Sequence, residues 1–188
     1  NLVLVLLSSF LLASCGVRSI PQALNQTDAS LAEVQNQYKR RSDLIPNLVN
    51  TVKGYATHEK STLESVVSAR AKATSITIDS KNLTSEKLKS FQDSQGELSQ
   101  ALGRLMMVAE KYPDLKANEN FRDLQAQLEG TENRISVARQ RYIESVKEFN
   151  NLVSVFPTNI ANSLFFKHDK KPQFTITEAE SKNPEVKF

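Results

Sequence analysis

The sequence predicts an all-α fold: an antiparallel four-helix bundle with long first and fourth helices, a short extra C-terminal helix and an extended tail. Three observations carry this prediction. Phe121, Leu128, Ile135, Tyr142, Phe149 and Phe156 recur every seventh residue, with Leu124, Ala138 and Leu152 three places after members of that series. Such spacing is the apolar seam of one long amphipathic helix. Leu24, Leu31, Tyr38, Ile45 and Val52 keep the same seven-residue interval earlier in the chain. Composition agrees: 39% hydrophobic and 24% charged residues, no Trp, 5 Gly and 6 Pro in 188 residues fit one helical domain with enough chain for a core, rather than a disordered or membrane-spanning chain.

Taken in order, Leu2 to Ala13 is an apolar run broken only by Ser8 and Ser9. It has the length of a signal-peptide core and is short for a membrane crossing. It ends Leu12-Ala13-Ser14-Cys15, which resembles a bacterial lipobox. Residues 1–14 therefore read as a lipoprotein signal peptide without the usual basic n-region, and Cys15 as the residue that receives the lipid. As Cys15 is the sole cysteine, an internal disulfide or a cysteine-based zinc site within one chain is excluded. Residues 15–26, with Pro21 and no long periodic run, read as a tether.

The bundle is expected over 27–157. Asp28 or Ser30 is placed to cap its first helix, which is predicted from about Thr27 to about Ala56. Ile45, Leu48, Val49, Val52, Tyr55 and Ala56 continue one helical face past Pro46 without a change of phase, so a single helix bent just before the proline is expected rather than two. The proline removes a donor and clashes with the carbonyl four residues back, at a cost of roughly 3 kcal/mol that burial elsewhere must offset. Ser61 and Glu64 have capping-box spacing for a second helix, with Leu63, Val66, Val67, Arg70 and Ala73 on one face. The β-branched string from Thr74 to Ser80 weakens helix propensity. A third helix is expected from Thr84 or Ser85, with the seam Leu88, Phe91, Gln95, Leu98, Leu102, Leu105 and Ala109, stopped at Tyr112-Pro113. The fourth runs from a cap at Asn118 to Pro157. In 158–188, Ile160, Ala161, Leu164, Phe165 and Phe166 predict a short helix with aromatics folded back on one bundle end, followed by a docked tail.

Two stretches carry a family resemblance. Arg40-Arg41-Ser42-Asp43-Leu44-Ile45-Pro46-Asn47-Leu48-Val49-Asn50 through Glu59 is similar to the signature of the LemA family. Thr131-Glu132-Asn133-Arg134-Ile135 through Tyr142, with Phe149-Asn150 and Phe156-Pro157, resembles its second signature. The resemblance implies a helical envelope protein without a defined biochemical activity, an adaptor beside membrane proteases, other envelope proteins or magnetosome formation. Many LemA relatives carry an uncleaved membrane helix, from which the Cys15 lipobox departs. Together these readings give a lipid-anchored, extracytoplasmic scaffold of the bacterial cell envelope, on the periplasmic side of the inner or outer membrane in a Gram-negative host. Its partners are then the membrane, through the lipid, and envelope proteins. The alternative is an envelope hydrolase with a site near His58.

Within the bundle, Arg41 falls on the seam of the first helix, Arg70 on the apolar face of the second, and Glu132 and Arg139 flank the seam of the fourth. A charge on an apolar seam needs a partner, because an unpaired buried charge is very costly. Arg41 is expected to be shielded and paired with an acid, Glu132 first, with Arg70 as the alternative cation. Such a polar layer fixes helix register; the functional reading makes it a binding site. Gly96 and Gly103, seven apart on one stripe, are a candidate docking strip for a partner helix, and with Gly54 and Gly130 they suggest close helix packing. No cofactor or metal is expected: His58 lies at a helix end, His168 in a charged loop, and the sequence holds no Glu-x-x-His, His-x-x-x-His or phosphate-cradling glycine loop. The net charge of +3 is spread among interleaved acids and bases, which argues against nucleic acid.

Overall fold

The computed structural model describes the backbone of residues 2–175 and the side chains of residues 18–175. Cys15, the signal segment 1–14 and the tail beyond Thr175 lie outside the residues whose side chains are described. Among the described residues all regular structure is helical: α1 Leu2–Tyr55, α2 Lys60–Ser75, α3 Ser85–Ala109, the short α4 Pro113–Ala117, α5 Glu119–Ser154, the short α6 Thr158–Ala161 and a π-helical turn Asn162–Phe166. The chain divides into two compact units, one made of Asn1–Val34 and Val137–Gln173, the other of Gln35–Ser136 and Phe174–Phe188.

The second unit is the four-helix part. Ile45, Leu48, Val52 and Ala56 of α1, Leu63, Val66 and Ala73 of α2, Leu98, Ala101, Leu102 and Leu105 of α3, and Phe121 and Leu128 of α5 form one buried cluster, closed at one end by Leu115 of α4. Pairings give the helix directions. Ser65 meets Arg104 and Lys72 meets Glu97, so α2 and α3 are antiparallel. Arg41 meets Glu132 and Tyr55 meets Asn118, so α1 and α5 are antiparallel as well. Caps match the sequence at two helix starts: Thr84 Oγ1 accepts from the Lys87 amide at 3.2 Å and Asn118 Oδ1 from the Phe121 amide at 3.0 Å. At α2 the capping box does not form. The helix begins at Lys60 behind Glu59, which makes no side-chain cap, and Val67, expected inward, is exposed.

The first unit pairs α1 and α5 again. Ile20 and Ala23 pack on Phe149, Val153 and Ala161, while Ser30 Oγ and Ser145 Oγ share a hydrogen bond of 2.7 Å. Where a tether is expected over 15–26, α1 is helical and Ile20 and Ala23 are buried. The seam continues through Ile20, Ala23, Thr27, Ser30 and Val34, and its periodicity is masked in the sequence because Thr27 and Ser30 are polar. Their hydroxyls are satisfied by Ala23 O and Thr27 O one turn back. After α5, the tail segment runs extended along that helix. Asn150 clamps Lys171 with two hydrogen bonds of 2.8 and 2.9 Å, and the Tyr142 hydroxyl donates to Pro172 O at 3.0 Å. Of the aromatics expected to fold back, Phe166 does so, against the Ile20 and Phe149 cluster. Leu164 and Phe165 remain exposed, because the π-turn points them outward when Phe166 turns in.

Burial pushes the Tyr142 phenol above its ordinary value, and the negative charge of Asp28 adds to the rise. The neutral phenol is the form the fold favours, so this contribution to stability is complete below the unfolded-state pKa of about 10 and is lost as pH climbs past it. Thermal unfolding followed by circular dichroism is expected to show a falling midpoint above about pH 10. Tyr142→Phe should flatten that fall while lowering stability at neutral pH by about 1 kcal/mol for the lost hydrogen bond; an equally steep fall in the variant contradicts the assignment.

Candidate functional site

The polar layer lies in the second unit, where one turn of α1 meets the three other long helices. Tyr38, Arg41, Ser42 and Ile45 occupy the inward face of that turn and are all buried. Arg41 is 2% exposed. Its Nη1 donates to Glu132 Oε2 on α5 at 2.8 Å and to Ser99 Oγ on α3 at 2.9 Å. Its Nη2 donates to Gln95 Oε1 at 2.7 Å and to Gln95 O at 3.2 Å. The guanidinium also lies 5.1 Å from the centre of the Tyr38 ring, which in turn meets Phe91 edge-on at 5.0 Å. A planar fork with several donors suits this many acceptors in a way a lysine ammonium does not. The pair is asymmetric: the Arg41 side chain is 3% exposed and that of Glu132 is 55% exposed. The carboxylate thus stays partly hydrated while neutralising a dry cation.

Gln95 extends the layer. While its Oε1 accepts from Arg41, its Nε2 donates to Ala73 O at 3.2 Å, one of the final-turn carbonyls of α2 that have no partner within the helix. Arg70 serves a different deficit. An amide at position 46 would bond the carbonyl of Ser42 four residues back, and Pro46 has none. The helix nevertheless passes Pro46 without interruption, and Arg70 Nε donates to Ser42 O at 2.8 Å. A side chain on α2 therefore fills the hydrogen bond that the proline withholds from α1.

Beside this turn is a half-open cleft of about 370 Å³. Ser42, Arg70, Ile76, Ile78, Phe91 and Gln95 are among the residues that line it, as is the ion pair of Lys39 with Asp43. One wall is the extended segment after α2, held to α1 by a hydrogen bond from Gln35 Nε2 to Ile78 O. The buried Ser42 hydroxyl has no hydrogen-bond partner, and among the described residues the terminal nitrogens of Arg70 make no hydrogen bond. An apolar lining, an unused hydroxyl and a free guanidinium edge suit an extended peptide bearing an apolar and an acidic side chain.

The structure brings Arg41 and Glu132 together and sets Arg70 on the neighbouring carbonyl. Arg139 belongs to the other unit and is half-buried there. A Cβ at Gly96, Gly103, Gly54 or Gly130 would meet nothing within 4 Å, so the close packing expected at these glycines is absent among the described residues. His58 is exposed in the turn between α1 and α2, and its neighbour Glu59 accepts from the Tyr112 hydroxyl at 3.3 Å. His168 is not simply in a charged loop: it stacks on Phe166 at 5.8 Å and lies 5.9 Å from Phe149. Among the described residues no group of three or more His, Cys, Asp or Glu side chains converges to hold a metal ion. Sequence reasoning missed Ser99 and the Ser42 carbonyl. Gln95 carried a signal, a polar residue on an apolar seam, and Ser42 carried one in its place four residues before a proline.

The model of the LemA family matches residues 30–188. The chain is 27% identical over 135 residues to protein LemA of Metamycoplasma hominis, covering 72% of this chain and 58% of that protein. It is 30% identical over 71 residues to the magnetosome proteins MamQ 1 and MamQ 2 of Paramagnetospirillum magneticum, covering 38% of this chain and 26% of each. The chain therefore spans less than two thirds of the length of these relatives.

Arg41→Ala leaves Gln95, Ser99 and Glu132 without their donor and opens a void in the layer. In urea unfolding the variant is expected to lose about 3 kcal/mol, the low end for breaking a buried pair because the stranded carboxylate is half in water. A loss within about 0.5 kcal/mol, ordinary for surface changes, contradicts the layer's role.

Proposed function

The chain belongs to the LemA family, and on that premise we propose that it is a membrane-anchored adaptor of the bacterial envelope that holds an extended segment of another envelope protein in the cleft beside Ser42 and Arg70. The observation that carries this reading is the unused polarity of the cleft: a buried hydroxyl without a partner and a guanidinium committed at Nε alone, set among Ile76, Ile78 and Phe91. A guanidinium edge left open beside an apolar lining offers a carboxylate a charge-assisted hydrogen bond. Attachment is supported by the apolar run ending Leu12-Ala13-Ser14-Cys15, which fits lipidation at Cys15 and an extracytoplasmic address. The role is one of binding and placement rather than bond chemistry; an exposed His58 beside a Glu59 already engaged by Tyr112 lends no support to the hydrolase alternative.

A photo-crosslinking amino acid at Thr77, an exposed residue of the cleft wall, tests the reading in intact envelope membranes. A discrete adduct is expected that is lost in Arg70→Glu and is not formed from the same probe at Thr57, outside the cleft. No adduct at Thr77, or one indifferent to Arg70→Glu, contradicts the proposal.

A further inference from the structure

The first unit carries a second surface that the adaptor reading does not use. Val155, Phe156, Ile160, Leu164 and Phe165 are all at least half exposed, with Phe156 at 75% and Leu164 and Phe165 at 67%. They lie together on the turn that follows α5, and their outward aim is built in. Asn162 Nδ2 donates to Val153 O at 3.3 Å and to His168 O at 3.0 Å, and Asn162 Oδ1 accepts from the His168 amide at 3.0 Å. Lys167, at φ 54°, closes the turn with its amide on Asn162 O at 2.7 Å. With the backbone pinned and Phe166 turned into the core, its neighbours Leu164 and Phe165 present apolar surface outward.

The same end of this unit is where α1 approaches Cys15, the proposed site of lipid attachment. Within the unit α1 and α5 are antiparallel, because Ser30 meets Ser145 whereas Ile20 packs with Phe149 and Val153. Extending that register places Val155 and Phe156 level with about residue 18 of α1. At a rise of 1.5 Å per residue, the backbone of Cys15, the proposed site of the lipid, is then only about 4.5 Å further along the axis. The charge around the patch is cationic. Arg18, level with the patch by that register, and Lys167 and Lys170, which follow it in the chain, are exposed, and Asp169 is the only acid between Val155 and Lys170. An apolar cluster accompanied by cations, close to the level of the proposed lipid attachment, has the composition of an interfacial membrane contact with anionic headgroups.

We infer that this end of the first unit is a lipid-facing foot, with Phe156, Leu164 and Phe165 seated in the headgroup boundary of an anionic membrane and Arg18, Lys167 and Lys170 on its phosphates. The inference rests on the membrane attachment proposed above and adds a second contact to it, which orients the unit as well as holding it. Because the chain contains no Trp, Phe165→Trp makes a sole reporter at an exposed position. Val137→Trp, on the exposed face of α5 and roughly 27 Å back along the helix from Val155, is its control. The full chain is mixed with vesicles of phosphatidylcholine and phosphatidylglycerol whose acyl chains are brominated, and flotation and tryptophan emission are read together. Flotation with a blue-shifted and strongly quenched Phe165→Trp, beside an unquenched Val137→Trp, is the expected result. Flotation without quenching of Phe165→Trp overturns the foot and leaves the attachment standing. Failure to float overturns both. A blue shift that grows with protein concentration in the absence of lipid assigns the patch to a second copy of the chain and likewise overturns the lipid contact.

Discussion

Pro46 withholds one backbone hydrogen bond from α1, and Arg70 of α2 supplies it. On this exchange the four-helix unit depends. A proline in a helix interior costs roughly 3 kcal/mol through the lost bond and the clash with the preceding turn, and the Ser42 carbonyl it strands is in a buried residue. The Arg70 contact at 2.8 Å satisfies that carbonyl from outside the helix. One residue earlier, Arg41 sends its guanidinium to Gln95 and Ser99 on α3 and to Glu132 on α5. A single turn of α1 is therefore bonded to each of the other three long helices of the unit. Apolar seams with seven-residue repeats tolerate sliding by a turn; directional bonds from adjacent residues to three partners do not.

The same arrangement prepares the cleft. Since Arg70 is held at Nε, its terminal nitrogens are positioned without further partners among the described residues, and rotamer freedom that an arriving ligand would otherwise have to remove is already restricted. Ser42 contributes twice, with its carbonyl taken by Arg70 and its hydroxyl unsatisfied. Structure and proposed binding thus share residues. In this family signature the proline is the origin of the site, because a regular helix would keep the Ser42 carbonyl for itself and leave Arg70 nothing to hold.

Much of the bundle was legible because its signals are local and periodic. The seams of α1, α3 and α5 show in single residues at fixed spacing, and Thr84 and Asn118 announce their helices by capping chemistry. Arg41 was legible as a charge on an apolar face, with Glu132 a candidate by position. The misses have physical causes. Thr27 and Ser30 bury their hydroxyls on carbonyls of their own helix, which hides a seam continuing to Ile20. At Ser61 and Glu64 the chain enters α2 two residues early, with Glu59 at the cap position, so Ser61 falls inside the first turn. Gly96 and Gly103 share a stripe, but among the described residues no neighbour approaches them. The exchange between Pro46 and Arg70 required knowing which helix lies against Ser42, a tertiary fact that spacing within one helix does not contain. For the same reason the cleft, walled by the extended segment through Ile76 and Ile78, was invisible in the pattern.

A double-mutant cycle between Pro46→Ala and Arg70→Gln measures the exchange directly. With Pro46 in place, Arg70→Gln strands the Ser42 carbonyl and is expected to cost about 1.5–3 kcal/mol, the range for a hydrogen bond from a charged group. In the Pro46→Ala background the restored amide bonds Ser42 O within the helix, and the same Arg70→Gln change should cost less than about 0.5 kcal/mol, as for a surface substitution. An equal cost in both backgrounds would mean that Arg70 does not replace the bond Pro46 withholds, and would contradict the account of how α1 and α2 are joined.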